Sequence, residues 1–358
     1  MSAAQEKSYW IWMASLSGMG AKTFYTLLKE YGSAADFFDA VSAGRVPAGL
    51  APTEVMTAAA AACSHARVTE ILAELSAKRI TAVTRLEDDY PSRLAEIPWP
   101  PPVLFVKGKL PALDNAIGIV GTRACTRRGF EHARKIAAEL NMPVVSGMAR
   151  GIDTAAHLGA MDAKAPTVAV LGCGVDVIYP PENDALYHKI VDTGAVISEL
   201  PSGVAPAVGN FPVRNRIIAG LCRGLLVVES GTRGGTAITA SLAVSYGRDI
   251  FAMPGPPYLE SSALANELIV QGAVPVRSAA DIRACYGERA LQETVRTEAF
   301  PQMDFFQQRI YELLKKEDMG IEEIAEAVQG EPAEVSVALT MMEIDGLCRR
   351  LPGGRFGI

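Results

Sequence analysis

The sequence of 358 residues is poor in the residues that build metal sites and disulfide frameworks. Its six cysteines lie 48 to 63 residues apart, and no Cys-x-x-Cys pair occurs. Its four histidines are equally scattered. A zinc site needs clustered Cys and His ligands, and a disulfide framework needs a much denser set of cysteines. The sequence therefore argues against a metal enzyme, and it carries no signal for any other cofactor.

Long apolar runs are missing as well. Gly, Pro or a charged residue interrupts each apolar stretch well before the roughly 18–20 residues that a membrane-spanning helix needs. The apolar run at 9–16 follows Glu6 and leads into an amphipathic pattern, so we expect a first domain helix there and no secretory signal. With 49% hydrophobic and 21% charged residues, the composition predicts a soluble cytoplasmic protein without a membrane partner.

An excess of positive charge, which many nucleic-acid-binding chains show, is absent, since the formal net charge is −6. Residues 1–111 carry 11 basic and 11 acidic side chains, and residues 112–285 carry 15 of each. Residues 301–358 carry 6 basic and 11 acidic side chains, so most of the deficit is C-terminal. Any DNA-binding surface must therefore depend on where arginines lie in the neutral centre.

The first 78 residues are Ala-rich and show the apolar spacing of helices. Within them, a Leu-x-Gly-x-Gly segment at 16–20 separates two amphipathic stretches. Such a turn either only closes a helical hairpin or lets backbone N–H groups approach a DNA phosphate, as in helix-hairpin-helix motifs. The lack of a flanking Lys or Arg cluster favours the structural interpretation. Prolines within 98–102 then predict a rigid connection at the start of the next domain.

From residue 117 onward the sequence alternates short β-branched runs with helical patterns. We predict strands at 117–120, 144–146, 168–171, 195–198, 225–228, 250–252 and 274–276. Helices are predicted between most of them, at 127–140, 154–164, 182–192, 236–246 and 262–270. Seven strands with helical crossovers indicate an α/β domain with a doubly wound, mostly parallel sheet.

Residues 286–300 are polar and irregular, and we interpret them as a linker. Three amphipathic helices are then predicted at 305–314, 321–328 and 333–343, followed by a hairpin with a Gly-Gly turn at 349–356. This pattern within 301–358 indicates a winged-helix domain. Its third helix has Glu334 and Glu343 but no Lys or Arg, so we expect the domain to be a protein-docking or regulatory module rather than a reader of DNA.

Glycines and arginines concentrate in the loops after the predicted strands. In an open parallel sheet these loops share one edge, where ligands bind. The edge would present glycine loops and the partially positive N-termini of helices. It would also present five arginines: Arg123, Arg150, Arg214, Arg216 and Arg233. This arrangement predicts an extended, phosphate-rich ligand. The alternative is that the glycines only form tight turns and that each arginine pairs with a carboxylate such as Asp153 or Glu229.

Enzyme signatures are weak or missing. No P-loop motif occurs, and the glycines at 118 and 121 and at 172 and 174 have the wrong spacing for a dinucleotide-binding loop. The sequence also shows no obvious pair of a catalytic nucleophile and a general base. His157, within a predicted helix, is interpreted as a capping or packing residue.

Four ordered motifs resemble the signatures of the DNA-processing protein A (DprA or Smf) family. They are Gly-Thr-Arg at 121–123, Ser-Gly-Met-Ala-Arg-Gly-Ile-Asp at 146–153, Phe-Pro-Val-Arg-Asn-Arg-Ile-Ile-Ala-Gly-Leu at 211–221 and Gly-Thr-Ala-Ile-Thr-Ala at 235–240. The N-terminal hairpin and the winged-helix pattern extend the resemblance over almost the whole chain. Cys222 departs from the Ser that is more usual in the family, a change that affects no charge.

The resemblance implies an extended Rossmann-like domain at 79–285, flanked by a helix-hairpin-helix or SAM-like domain at 1–78 and by the winged helix. It implies a homodimeric recombination mediator of natural transformation, not an enzyme, which binds and protects incoming single-stranded DNA and loads RecA on it. The expected strand-binding residues are Gly121, Thr122, Arg123, Ser146, Gly147, Arg150, Gly151, Phe211, Arg214, Asn215, Arg216 and Arg233. Arginines would pair with phosphates, glycine N–H groups would take the remaining oxygens, and Phe211 would stack on a base unless it belongs to the core.

Two other functions stay open. The sheet pattern is also similar to that of nucleotide phosphoribohydrolases, although Thr239 stands where their motif has a glutamate. A transcription regulator led by the winged helix is the third interpretation.

Overall fold

A computed structural model describes residues 2–47, 49–287, 305–344, 347–351 and 353–358. The chain divides into two compact units, Met1–Arg289 and Ala290–Ile358. Apart from Tyr286 and Gly287, the expected linker at 286–300 lies outside the described residues. Within the described ranges, every helix is too short or too polar to cross a membrane.

The first unit begins with the helical region that the sequence predicts. Its helices are α1 (Ala3–Ala14), α2 (Ala21–Tyr31), α3 (Ala34–Ser42), α4 (Thr53–Ala62) and α5 (His65–Ala77). Serines cap three of them, since the side chains of Ser2, Ser33 and Ser64 accept backbone N–H groups of the first turn. Buried aromatic side chains, among them Trp12 and Phe24, fill the space between the helices. This apolar cluster continues onto two strands of the sheet, so the helices pack directly against it.

Nine strands form one sheet in the order β1-β2-β6-β5-β4-β3-β7-β8-β9. They are β1 (Thr81–Thr84), β2 (Val103–Gly108), β3 (Ile117–Val120), β4 (Val144–Ser146), β5 (Thr167–Val170), β6 (Ala195–Ser198), β7 (Gly224–Val227), β8 (Asp249–Ala252) and β9 (Val274–Pro275). All seven predicted strands are present within about one residue of their predicted ends. Strand β2 runs antiparallel to both β1 and β6, and the other neighbours are parallel.

Helices cover both faces of this sheet, which confirms the doubly wound α/β class. They are α6 (Ser92–Ala95), α7 (Arg127–Glu139), α8 (Ile152–Asp162), α9 (Asp184–Thr193), α10 (Asn210–Leu221), α11 (Gly235–Ser245), α12 (Ala263–Val270) and α13 (Ala279–Cys285). Helices α10, α11 and α12 pack on one face, and α7, α8 and α13 pack on the other.

Helix α10 corrects the interpretation of residues 210–216 as a loop. Pro212 is the third residue of the helix. The first turn tolerates proline because its N–H groups have no intrahelical partner there. The arginines of this segment therefore project from a helix, and their directions follow the helical period.

The second unit has the predicted winged-helix pattern. Its elements are α14 (Phe305–Leu314), β10 (Met319–Gly320), α15 (Ile321–Val328), α16 (Pro332–Ile344), β11 (Arg349–Arg350) and β12 (Arg355–Gly357). The three short strands form an antiparallel sheet in the order β10-β12-β11. Buried Ile310, Ile324, Leu339 and Phe356 form its core.

Candidate nucleic-acid interface

A groove of about 590 Å³ lies at the carboxyl ends of β3, β4 and β7. Its walls are the loops after these strands, the segment around Val208 and the first turns of α10 and α11. We call it the edge groove. The side chains that line it include Arg123, Asp153, Tyr179, Val208, Phe211, Pro212, Arg214, Arg233 and Ile238. Residues that follow β3, β4, β5, β6 and β7 all line it, so the strand topology brings the segments after these five strands together in one concave surface.

Arg123 and Arg233 are the exposed cations of the edge groove. Arg123 lies over the ring of Phe211, with its guanidinium carbon 5.5 Å from the ring centroid. Arg150 lines a small cavity of about 30 Å³ that shares Arg123 and Phe211 with the groove. It pairs with Glu182 at 3.5 Å, and both side chains are more than half exposed. An exposed pair of this kind is weak, so an anionic ligand can compete for Arg150.

Arg214 is not the freely exposed loop residue that the sequence suggested. Helix α10 directs it inward, and only 6% of the residue is exposed. Its guanidinium donates a hydrogen bond to the carbonyl of Val170 at the end of β5. Burial lowers the pKa of Arg214 to about 10, while the nearby charge of Asp153 opposes this shift. Its Nε has no hydrogen-bond partner among the described residues. Arg214 therefore supports the floor of the groove.

The prediction that Arg216 lies at the strand-binding edge is also corrected, because its side chain lies outside the edge groove. Its guanidinium pairs with Glu199, and its Nη1 donates to the carbonyl of Trp99 at 2.9 Å. Both side chains of the pair are about 15% exposed. Burial raises the pKa of Glu199, and the charge of Arg216 opposes this. Arg216 thus fixes the proline-rich segment against α10.

The glycines of these loops are required mainly for close packing. A Cβ on Gly121 would lie 2.5 Å from Cγ1 of Ile152, and one on Gly147 would overlap the guanidinium of Arg214. Gly151 has a φ of +76°. The N–H groups of Gly147 and Ala149 point at the carboxylate of Asp153. In the structure the Gly147 N–H is therefore directed at Asp153, and its expected contact with a phosphate oxygen stays a prediction.

Three polar residues of the predicted site hold the loops in place. Ser146 is buried, and its Oγ donates to the carbonyl of Ile119 at 2.6 Å. Asn215 donates from Nδ2 to the carbonyl of Gly235 at 3.1 Å, which joins α10 to the start of α11. The N–H of Thr122 donates to the carbonyl of Glu229 at 2.6 Å. These contacts give the edge groove a rigid outline.

The N-terminus of α11 adds partial positive charge to the edge groove. Gly234, Gly235 and Thr236 line the groove, and the N-cap, Gly234, supplies no capping side chain. Backbone N–H groups at such a terminus can bind an anion. The N-terminus of helix α7 differs from that of α11, because a carboxylate already occupies it. Glu229 accepts the N–H of Thr126, the N-cap of α7, at 2.8 Å.

Aromatic and aliphatic side chains lie beside the cations. The rings of Tyr179 and Phe211 are 5.6 Å apart, and Tyr179 is partly exposed. Val208 is 87% exposed, and Ile238 is also exposed. Sequence reasoning identified Phe211 but missed the other three. The position of Tyr179 in the loop between β5 and α9 could have indicated it, because that loop starts at the same edge.

The groove has few groups for acid–base chemistry. Asp153 is the one acidic residue among the described side chains that line it. It is buried, which raises its pKa, and Arg214 opposes this shift. Thr239 is buried and donates to the carbonyl of Gly235 at 2.9 Å. His157 is also buried, with Nδ1 2.7 Å from Thr167 Oγ1, and burial lowers its pKa to about 3. Its packing role is as predicted.

Comparisons with known proteins agree on one family. Residues 81–287 match the family model of DNA recombination-mediator protein A, and residues 304–354 match that of the DprA winged helix domain. The chain is 35% identical over 327 residues to protein Smf of Synechocystis, covering 80% of this chain and 82% of the relative. It is 43% identical over 202 residues to the DNA processing protein DprA of Streptococcus pneumoniae, covering 56% and 72%.

Two solved structures are similar as well. The X-ray structure of DprA from Streptococcus pneumoniae gives a TM-score of 0.67 at 35% identity and covers 77% of this chain and 97% of that chain. A structure that describes the single-stranded DNA binding mode of DNA processing protein A from Helicobacter pylori gives a TM-score of 0.53 at 26% identity. It covers 58% of this chain and 95% of that chain.

Proposed function

Because this chain belongs to the DNA recombination-mediator protein A family, its role is that of a DNA recombination mediator, and we propose that it binds single-stranded DNA in the edge groove. The observation that carries the proposal is the groove itself. It combines exposed Arg123 and Arg233 with the N-terminus of α11 and with the neighbouring rings of Phe211 and Tyr179.

Single strands suit this surface better than duplex DNA does. Phosphates would pair with the two exposed arginines and with the N–H groups at the start of α11. Bases would lie on Phe211 and Tyr179 and on exposed Val208 and Ile238. Paired bases are stacked inside a duplex and cannot reach such side chains, whereas every unpaired base offers a face for stacking. We therefore infer a preference for single strands without sequence specificity.

We also propose that the protein is not an enzyme and that it works in the cytoplasm. The resemblance further supports the hand-over of the bound strand to RecA, in keeping with a role in natural transformation. For the homodimer, the support in this chain is a set of exposed apolar residues around α12, namely Tyr258, Leu259 and Val270. An apolar surface of this kind is typical of a protein interface.

The winged helix has a different proposed role, that of docking another protein. On α16, Val337 and Met341 are exposed one turn apart, and Glu334 and Glu343 lie on the same helix. In the adjacent hairpin, Arg355 is already paired with Glu323 at 3.0 Å. We therefore propose three functional regions, at 1–78, 79–285 and 301–358, with the linker at 286–300 between the second and the third.

A paired gel shift with single-stranded and double-stranded oligonucleotides of the same sequence tests the proposed function. The single strand should bind more tightly at moderate salt. In parallel, incubation with nucleoside monophosphates should release no base. Equal or tighter binding of the duplex would contradict the proposal, and turnover of a monophosphate would favour the phosphoribohydrolase interpretation.

A further inference from the structure

Trp99 is an exposed tryptophan in the proline-rich segment between α6 and β2. It is 48% exposed, whereas Trp10 is 4% exposed and Trp12 is fully buried. Tryptophan usually buries most of its large apolar surface, so one that is half exposed in a folded chain is unusual. The contacts that hold Trp99 show that its exposure is built into the structure.

The backbone of Trp99 is held in an uncommon conformation. Its φ is +55°, in the left-handed region that a bulky residue rarely adopts. Pro98 and Pro100 flank it, and its carbonyl accepts the 2.9 Å hydrogen bond from Arg216. Residues in such conformations persist only where their surroundings fix them, and they are common at ligand sites. Here the surroundings present the indole outward.

An aromatic side chain lies beside this indole, and arginines act on that aromatic residue. The rings of Trp99 and Tyr25 are 6.5 Å apart at 35°. Arg85 is exposed and bonds to the carbonyl of Ala95 at 3.3 Å. Burial raises the pKa of Tyr25 to about 12, and the positive charges of Arg85 and Arg216 oppose this shift, so both act on the Tyr25 hydroxyl. Interleaved aromatic and basic side chains are the pattern of single-strand binding surfaces.

Helix α10 connects this site to the edge groove. Pro212 lines the groove, and Arg216 lies four residues later on the same side of the helix. One helical turn, about 5.4 Å along the axis, therefore separates the wall of the groove from the residue that holds Trp99. Exposed Val213 lies between them in the sequence. A strand leaving the groove over the start of α10 would reach the indole next.

We propose that Trp99 is a second nucleobase-stacking site, which takes a base of single-stranded DNA that extends beyond the edge groove along α10. Tyr25 supports the indole from behind, and Arg85 supplies charge for a neighbouring phosphate. This site rests on the proposed function, because it extends the path of the same strand.

Quenching of tryptophan fluorescence by DNA reports on this site, because the other two tryptophans are buried and cannot contact a base. The full chain is titrated with an oligo-dT of about 16 nucleotides, within the range of single-strand site sizes. Binding is followed in parallel by the anisotropy of a label on the DNA. We expect fluorescence quenching that saturates together with the anisotropy, and we expect Trp99→Leu to abolish the quenching while the anisotropy still rises. Saturating anisotropy without quenching would overturn the stacking site and leave the groove intact, and would point to a protein contact at Trp99.

The affinities of matched variants give a second readout. Trp99→Leu should weaken binding of the 16-nucleotide strand about 5- to 10-fold, the lower range for loss of one stacked base. Trp99→Phe should restore most of the affinity, and Val337→Ala, which removes exposed apolar surface from the winged helix, should leave it unchanged. Circular dichroism confirms that each variant is folded. Wild-type affinity in folded Trp99→Leu would contradict the stacking site, whereas absence of any binding by the wild type would overturn the proposed function as well.

Discussion

The edge groove takes its positive charge from a part of the chain that is neutral in total, whereas the winged helix is acidic in a fold that often reads DNA. Residues 112–285 carry 15 basic and 15 acidic side chains, but the groove exposes Arg123 and Arg233 and buries Asp153. On α16, exposed Val337 and Met341 occur on a helix with acidic but no basic side chains. On the proposed function, DNA binding therefore follows the placement of each charged side chain and not the fold class or the net charge.

The largest expected effect is on stability, and it distinguishes buried Arg214, which supports the groove, from the exposed arginines that we propose contact DNA. Arg214→Met removes the donor to the Val170 carbonyl and the positive charge near buried Asp153. Leaving a buried carboxylate without its nearby compensating charge costs about 3–5 kcal/mol, so the free energy of unfolding should fall by about that amount. Urea unfolding followed by circular dichroism measures it. Arg349→Met, in the exposed hairpin, is the control and should change stability by about 0.5 kcal/mol or less. Wild-type stability of Arg214→Met would show that the groove does not depend on this residue.

The next largest effect is expected when a charge reversal in the edge groove is compared with the same reversal in the winged helix. Arg123→Glu should weaken single-strand binding by about 10- to 100-fold, because a charge-assisted contact to phosphate is lost and a repulsive charge is added. The fold should persist, since Arg123 is exposed. Arg349→Glu makes the same change of charge in the winged helix and should alter the affinity by about twofold or less. Fluorescence anisotropy measures both. A comparable loss in the two variants would remove the distinction between the regions.

A smaller effect concerns the attachment of the N-terminal helices to the sheet. Lys78, just after α5, pairs with Asp176 at 2.7 Å. Burial raises the pKa of Asp176, but hydrogen bonds from Lys78, the Gly203 N–H and Ser202 outweigh it and lower the pKa from 3.8 to about 2. Because the folded pKa lies below the unfolded one, this contribution to stability is complete above about pH 4 and is lost as the pH falls through about 2.

Asp176→Asn should therefore destabilise the protein by about 1–2 kcal/mol at pH 7, and the difference from wild type should shrink below pH 4. Urea unfolding of both proteins across this pH range measures the effect. A difference that stays constant down to pH 2 would show that the charge of Asp176 does not contribute.

Regular patterns made much of the fold predictable. The β-branched runs of the central strands and the amphipathic spacing of α14 and α15 identified these elements closely, because local pattern and tertiary burial agree there. Strand β1 was missed because it is short and polar, and β2 because it follows prolines. The edge that carries the loops was predictable from the rule for parallel strands.

The directions of the side chains were not predictable to the same extent. Arg214 and Arg216 belong to one motif, but the turn of α10 buries the first against β5 and pairs the second with Glu199. That outcome depends on the phase of helix α10, which was not predicted from the sequence. Tyr179 was missed because a single aromatic residue in a loop gives no periodic signal. Sequence reasoning thus located the edge but could not separate supporting residues from exposed ones.

The smallest expected effect comes from removing the winged helix altogether. The first compact unit includes the whole sheet and the edge groove, so a chain that ends at residue 290 should fold and keep its single-strand affinity within about twofold. Size-exclusion chromatography and anisotropy check the fold and the affinity. A large loss of binding by the folded, shortened chain would show that the acidic region contacts DNA after all.

The salt dependence of single-strand affinity tests the central claim, that the strand binds in the edge groove, most directly. The slope of log K against log[salt] reports how many phosphates the protein neutralises, at about 0.7 for each contact on a single strand. Binding in the edge groove predicts that Arg123→Gln and Arg233→Gln each flatten the wild-type slope by about 0.7, while Arg349→Gln leaves it unchanged. An unchanged slope in the first two variants, or a flatter slope in the third, would contradict it.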